Sequence, residues 1–129
     1  MRKCILIKTN LEISVVELPE DDTFNDEVYK LLKCTCWEGV VNNFGLYMLV
    51  DENGKVSKPS KELNPIATLI YPGAGKDYIA GDVLISKIGR NAQGETDLVS
   101  LSVIEINSLQ IALDQFVKLI QKIGGPKNE

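Results

Sequence analysis

The sequence contains no histidine. The commonest general base and the commonest metal ligand are therefore missing, and no Ser–His or Cys–His nucleophile pair can form. Long hydrophobic runs are missing too. A stretch such as Leu46–Val50 falls far short of the roughly 20 residues that a membrane span needs. Lys8 interrupts the opening Met1–Ile7 segment before it can make a signal-peptide hydrophobic region, which predicts a cytoplasmic protein. Cysteine is scarce and odd in number, at Cys4, Cys34 and Cys36, as expected of free thiols in a reducing compartment. Cys34 and Cys36 would share one side of a strand and, with Cys4 on a neighbour, offer three sulfurs to zinc. A structural zinc site wants four ligands, usually as two close pairs. Buried, inert cysteines are the simpler expectation, with no metal or cofactor.

What is present is an ordinary domain. At 129 residues, 44% hydrophobic and 25% charged, residues 1–129 form a single unit able to bury about two-thirds of its unfolded surface. The net charge of −4 is unevenly placed. Between Asn10 and Tyr29 stand Glu12, Glu17, Glu20, Asp21, Asp22, Asp26 and Glu27 with no Lys or Arg. From Gly54 to Gly94 the balance turns to +3 through Lys55, Lys58, Lys61, Lys76, Lys87 and Arg90 against Glu62, Asp77 and Asp82. An acidic chain is a poor direct binder of nucleic acid, because that affinity comes from neutralising phosphates. The basic middle still leaves room for a small anion, beside the plainer reading of solvated lysines around turns.

Periodicity and end signals predict an α+β fold, with a mostly antiparallel sheet of about six short strands, two main helices and one short helix. Lys3–Lys8 and Glu12–Leu18 read as strands around a Thr9-Asn10 turn. A helix begins near Asp22 or Thr23 and carries Phe24, Val28, Leu31 and Leu32 on one face. Thr35–Val41 and Leu46–Asp51 make a hairpin across Asn42–Gly45, with Trp37 and Tyr47 facing each other. Asn64-Pro65 pairs a favoured N-cap with a residue that loses no hydrogen bond at the first helical position, so a short helix follows to about Ile70. Strands are expected at Asp82–Ile88 and Asp97–Leu101. Ser102 and Glu105 form a capping box for the last helix, and Gly124-Gly125-Pro126 ends it. Its apolar stripe comprises Ile106, Leu109, Ala112, Leu113, Phe116, Val117, Leu119, Ile120 and Ile123. Ile104 and Ile111 lie opposite, either as isolated exposed residues or as a contact between subunits.

The stretch Pro72-Gly73-Ala74-Gly75-Lys76-Asp77 invites a phosphate-loop reading and fails it. Ile70 stands where a Walker loop needs its first glycine, and Asp77 replaces the magnesium-binding hydroxyl. Tyr78 likewise occupies the third glycine of the dinucleotide pattern. What survives is a glycine turn that offers backbone N–H groups and Lys76 beside the Asn64-Pro65 helix start, an arrangement able to hold an anion. The carboxylate pairs Asp21/Asp22 and Asp51/Glu52 fit turn and helix-start chemistry, and Asp51–Gly54 lacks the twelve-residue spacing of a calcium loop. No constellation of Lys, Asp, Glu, Tyr or Cys marks an active site, so the chain is not expected to be an enzyme.

Several segments, in order, carry a family resemblance. They are Asp51-Glu52-Asn53-Gly54-Lys55, then Asn64 with Ala67-Thr68, then Ile79-Ala80-Gly81 entering a strand, then Ser100-Leu101-Ser102 before a helix. Across roughly Val28–Glu105 this resembles the domain of unknown function 3846 family of phages, mobile elements and their bacterial hosts. The Ser57–Lys61 connection, the Tyr71–Gly75 insertion and the longer final helix depart from that pattern. The resemblance implies a phage or mobile-element setting and no particular activity; with the missing catalytic residues and the basic middle it leads to the expectation of a non-enzymatic accessory protein of anti-defence type that acts by binding. The concrete expectation is sequestration of a small anionic, nucleotide-like ligand near Gly73, Gly75 and Lys76. Tyr71 or Tyr78 would stack on a base, Asn64 or Thr68 would read polar edges, and Arg90 would add charge. A second copy would complete the pocket through the last helix. The alternative is an acidic inhibitor that blocks a basic surface of a host protein through Glu12–Glu27.

Overall fold

A computed structural model of the chain describes residues 1–73 and 75–124. Ala74 and the expected helix stop at Gly125-Pro126 lie outside the described residues. In chain order the elements are β1 (Arg2–Ile7), β2 (Ile13–Leu18), α1 (Phe24–Leu32), β3 (Trp37–Val41), β4 (Tyr47–Asp51), α2 (Pro65–Ile70), β5 (Val83–Arg90), β6 (Thr96–Val99) and α3 (Val103–Lys122). The strands form one antiparallel sheet in the order β2-β1-β5-β4-β3, with β6 paired to β5. The architecture is the expected α+β one.

The central strands β1, β4 and β5 are almost continuously apolar because both of their faces are covered. Successive side chains on a strand point to opposite faces. Ile5, Ile7, Met48, Val50, Val83 and Ile85 accordingly meet α2 and α3 through Ile66, Ile70, Leu109 and Leu113. Their neighbours Cys4, Leu6, Leu49 and Leu84 meet Phe24, Val28 and Leu32 of α1. The edge strand β2 is less covered, with Ser14, Val15 and Glu17 exposed and only Leu18 buried.

β5 changes partners along its length, which positions the surface described below. Its first half lies between β1 and β4, whereas Lys87–Arg90 pairs with Thr96–Val99. The chain leaving β6 then runs beside the start of β1. The Leu101 N–H donates to the Lys3 carbonyl at 3.0 Å, and the Lys3 N–H donates to Ser100 Oγ at 3.0 Å. Asp97 and Leu98 are thereby set against Arg2 and the start of α1.

Three expectations are corrected. Trp37 does not face Tyr47: it pairs with Asp51, while Tyr47 pairs with Val41 and lays its ring over Gly39. A Cβ at Gly39 would fall 2.0 Å from that ring. The stripe of α3 is narrower than the sequence pattern, since Leu119 and Ile123 are exposed while Leu113 and Ile120 are buried. Cys4 cannot join the other thiols, because β5 and β4 separate β1 from β3 by three strand spacings, about 14 Å. Cys34 and Cys36 also precede β3 and do not lie on it. All three thiols are free, and burial raises the Cys4 pKa.

Candidate functional site

The glycine loop leads from α2 to β5. Gly75 has φ +89°, and the Gly73 carbonyl accepts from the N–H groups of Lys76 and Asp77 at 3.0 and 2.9 Å. A turn closed on itself in this way spends its donors internally. Tyr71 packs against the main core and covers Gly73, where a Cβ would lie 2.7 Å from its ring. Thr68 Oγ1 accepts the Ile79 N–H at 3.0 Å and so pins the segment after the loop.

Asn64 is wholly buried. Its carboxamide oxygen caps α2 by accepting the Ala67 N–H at 3.1 Å. Its amide donates to the carbonyls of Ile7 and Gly81 at 3.1 and 3.0 Å. No donor is left to read a ligand. Asn64 is therefore reassigned from ligand contact to fold support, and Thr68 plays a similar pinning part.

Charge near the loop is also committed. Lys55 pairs with Asp77 and lies 4.6 Å from the centroid of the exposed Tyr78 ring. That hydrogen bond, with the Tyr78 N–H, holds the Asp77 carboxyl below its ordinary range. Lys61 binds Asp51 at 2.8 Å and donates to the Leu32 and Lys33 carbonyls at the end of α1. Lys87 pairs with Glu105 at 3.1 Å. Much of the basic middle is thus neutralised locally, which leaves Lys58 and Lys76 as exposed lysines. The recess touching Tyr78 is small, about 160 Å³, and its wall carries Glu38, Asp51 and Glu52 beside Lys55. Cys36 donates to Glu52 there, which raises the thiol pKa.

Arg90 does not join this group. It stands at the far end of β5, roughly 23 Å along the strand from Val83 at ~3.3 Å per residue. Its guanidinium donates to the Gly94 carbonyl at 2.7 Å within the β5–β6 turn. Gly73, Gly75, Lys76, Tyr71 and Tyr78 are thus neighbours along one loop, with Tyr71 turned to the core and Tyr78 to Lys55, and Arg90 is set apart.

A different surface carries the stronger constellation. The acidic segment after β2 folds around the start of α1, and its Glu20, Asp21 and Asp22 rim a cleft of about 300 Å³. Arg2, Phe24, Asn25, Trp37, Asp97 and Leu98 complete the lining. Asp21 accepts from the side chain and backbone of Thr23, which lower its pKa and keep it ionised. The Trp37 indole N–H donates to Asn25 Oδ1 at 3.0 Å, which holds the ring at the cleft wall. The acid cluster was legible in the sequence. The presence of Arg2, Trp37 and Asp97 beside it was not, because they gather around the start of α1 from distant parts of the chain: Arg2 packs on Phe24, Trp37 bonds Asn25, and Asp97 stands beside Arg2. Among the described residues no group of His, Cys, Asp and Glu is arranged to hold a metal ion.

No family model, curated protein or solved structure matches this chain.

Proposed function

We propose that the chain is a non-enzymatic accessory protein of a phage or mobile element that acts in the host cytoplasm by occupying a basic surface of a host protein. The observation that carries this reading is the cleft that joins Glu20, Asp21 and Asp22 to Trp37, whose indole N–H donates to Asn25. Among the described residues, Glu17, Asp21, Asp22 and Asp26 have no Lys or Arg within ion-pair distance. Glu20 stands 3.8 Å from the Met1 ammonium, which leaves Asp21 and Asp22 as the unpaired carboxylates of the rim; beside an aromatic wall they favour a cationic partner, speed encounter and supply an anchor of the type that dominates interfaces. The phage or mobile-element setting is supported by the resemblance of roughly Val28–Glu105 to the domain of unknown function 3846 family. Among the described residues no helix is long and apolar enough to cross a membrane.

Sequestration of a nucleotide-like anion at residues 73–78 is the rival reading. It has less geometric support, since Asn64 and Thr68 are committed inside the fold and Asp77 takes up Lys55. The two readings separate in one experiment. The Glu20→Gln, Asp21→Asn, Asp22→Asn variant should lose capture of a basic host protein from extract, and wild-type capture should weaken steeply with salt. Calorimetric heat with nucleotides, unchanged in that variant, would favour the rival instead.

Self-association through α3 belongs to the same proposal. Ile104 and Ile111 are 78% and 67% exposed. A mainly apolar recess of about 400 Å³ includes Ile104 in its wall, with Phe44, Leu46, Leu109 and Ala112 beside Glu105 and Ser108.

A further inference from the structure

We propose that the cleft floored by Arg2 holds an extended segment of the partner protein. One backbone carbonyl accepts from the Arg2 guanidinium, and an adjoining arginine or lysine side chain lies among Glu20, Asp21 and Asp22. This rests on the basic-partner reading and gives that partner a chemical form.

Arg2 is a largely buried cation whose acceptors are incomplete. Arg2 is only 7% exposed. A guanidinium carries five N–H donors, and burial makes an unmet donor costly. Arg2 Nε is buried with no hydrogen-bond partner. The nearest carboxylate, Asp97, stands 3.9 Å away, beyond hydrogen-bond reach. Its other oxygen is held by the Leu98 N–H at 2.7 Å, so the carboxylate is turned toward its own backbone. The Phe24 ring covers one face of the guanidinium at 4.5 Å. An acceptor must therefore approach in the guanidinium plane.

The space around Arg2 suits a chain better than an ion. A second cavity of about 370 Å³ adjoins the first and shares Arg2, Glu20, Asp97 and Leu98 with it. Arg90, Asn91, Gln93 and Ser100 line its far side. Each cavity is an order of magnitude larger than the roughly 30 Å³ of one water. A free anion would meet Arg2 but would be repelled by Glu20, Asp21, Asp22 and Asp97. A free cation would suit those acids but would leave Arg2 unmet and add a like charge beside it. A neutral carbonyl next to a cationic side chain satisfies both. Extended peptide supplies that pairing, with its carbonyls and side chains at fixed spacing.

The test uses the whole protein, a blocked glycine–arginine repeat peptide as probe, and spermidine as a cation without a carbonyl. In isotope-labelled protein the peptide should shift the Arg2 Nε–H signal, and spermidine should not. Arg2→Met keeps the aliphatic packing and removes the donors, and should weaken peptide binding about tenfold or more. Arg2→Lys, which keeps charge without the planar fork, should not restore it. Absence of peptide binding, an Arg2 signal shifted equally by spermidine, or Arg2→Met binding at wild-type affinity would each overturn the inference. If Arg2→Met binds normally and the triple acid variant does not, Arg2 is dispensable and the basic-partner reading stands. If both variants bind as wild type does, that reading falls too. Should Arg2→Met fail to fold, the Arg2 signal in the wild-type protein decides.

Discussion

Asn64 joins three parts of the molecule through one side chain. It caps α2, holds the end of β1 through Ile7 and holds the approach to β5 through Gly81. Truncation to alanine removes a cap and leaves two buried carbonyls short of a donor. A cap is worth about 1 kcal/mol, and a buried unmet polar group costs roughly 1–3 kcal/mol. Asn64→Ala should therefore destabilise the fold by about 3 kcal/mol or more in denaturant unfolding. Where the variant is folded, partner capture should persist, because Asn64 reaches no surface. The Asn64-Pro65 signal in the sequence announced the cap. The two long-range hydrogen bonds depend on β1 and β5 being neighbours, which no local pattern records.

At the scale of elements, α3 shows how local chemistry becomes tertiary. Ser102 and Glu105 form the reciprocal capping box that their spacing predicts, and Lys87 of β5 reaches Glu105 from the sheet. The Ser102 backbone hydrogen bond, with Lys87, lowers the Glu105 pKa below its ordinary 4.5. A depressed carboxylate stabilises the fold above its unfolded pKa, and that contribution is lost as pH falls through the folded value. Wild-type stability should thus drop below about pH 4.5, and Glu105→Gln should flatten part of that drop. Ser102→Ala should cost about 0.5–2 kcal/mol at neutral pH in thermal unfolding. The partly exposed Lys87–Glu105 pair should add little. The stripe of α3 was overdrawn in the sequence at Leu119 and Ile123. Apolar spacing gives the angle of a residue around a helix, whereas the sheet and α2 decide which of those angles are covered.

For the whole molecule, the decisive property is the sorting of charge. Glu20, Asp21 and Asp22 share one cleft, and within Glu12–Glu27 only Glu12, Glu20 and Glu27 stand in ion pairs among the described residues, while Lys55, Lys61 and Lys87 are consumed by Asp77, Asp51 and Glu105. Charge counted along the chain therefore misjudged the basic middle and understated the acidic face. Partner capture should follow that face, with wild-type affinity falling as ionic strength rises and the triple acid variant failing to capture even at low ionic strength. Self-association is separate. Sedimentation should give a dimer for the wild type and a monomer for Ile111→Glu, since that position contributes nothing to the core.

The sequence by itself determined the element order, the N-terminal caps of α2 and α3, the apolar strands and the lack of histidine chemistry. Those features depend on neighbours a few residues apart, where propensity and hydrogen bonding act directly. Tertiary structure alone decided that β5 divides between two sets of partners, that Asn64 is spent inside, and that Arg2 lies under an acidic cleft. Each requires residues far apart in the chain, and a pairing register that only burial of both sheet faces selects.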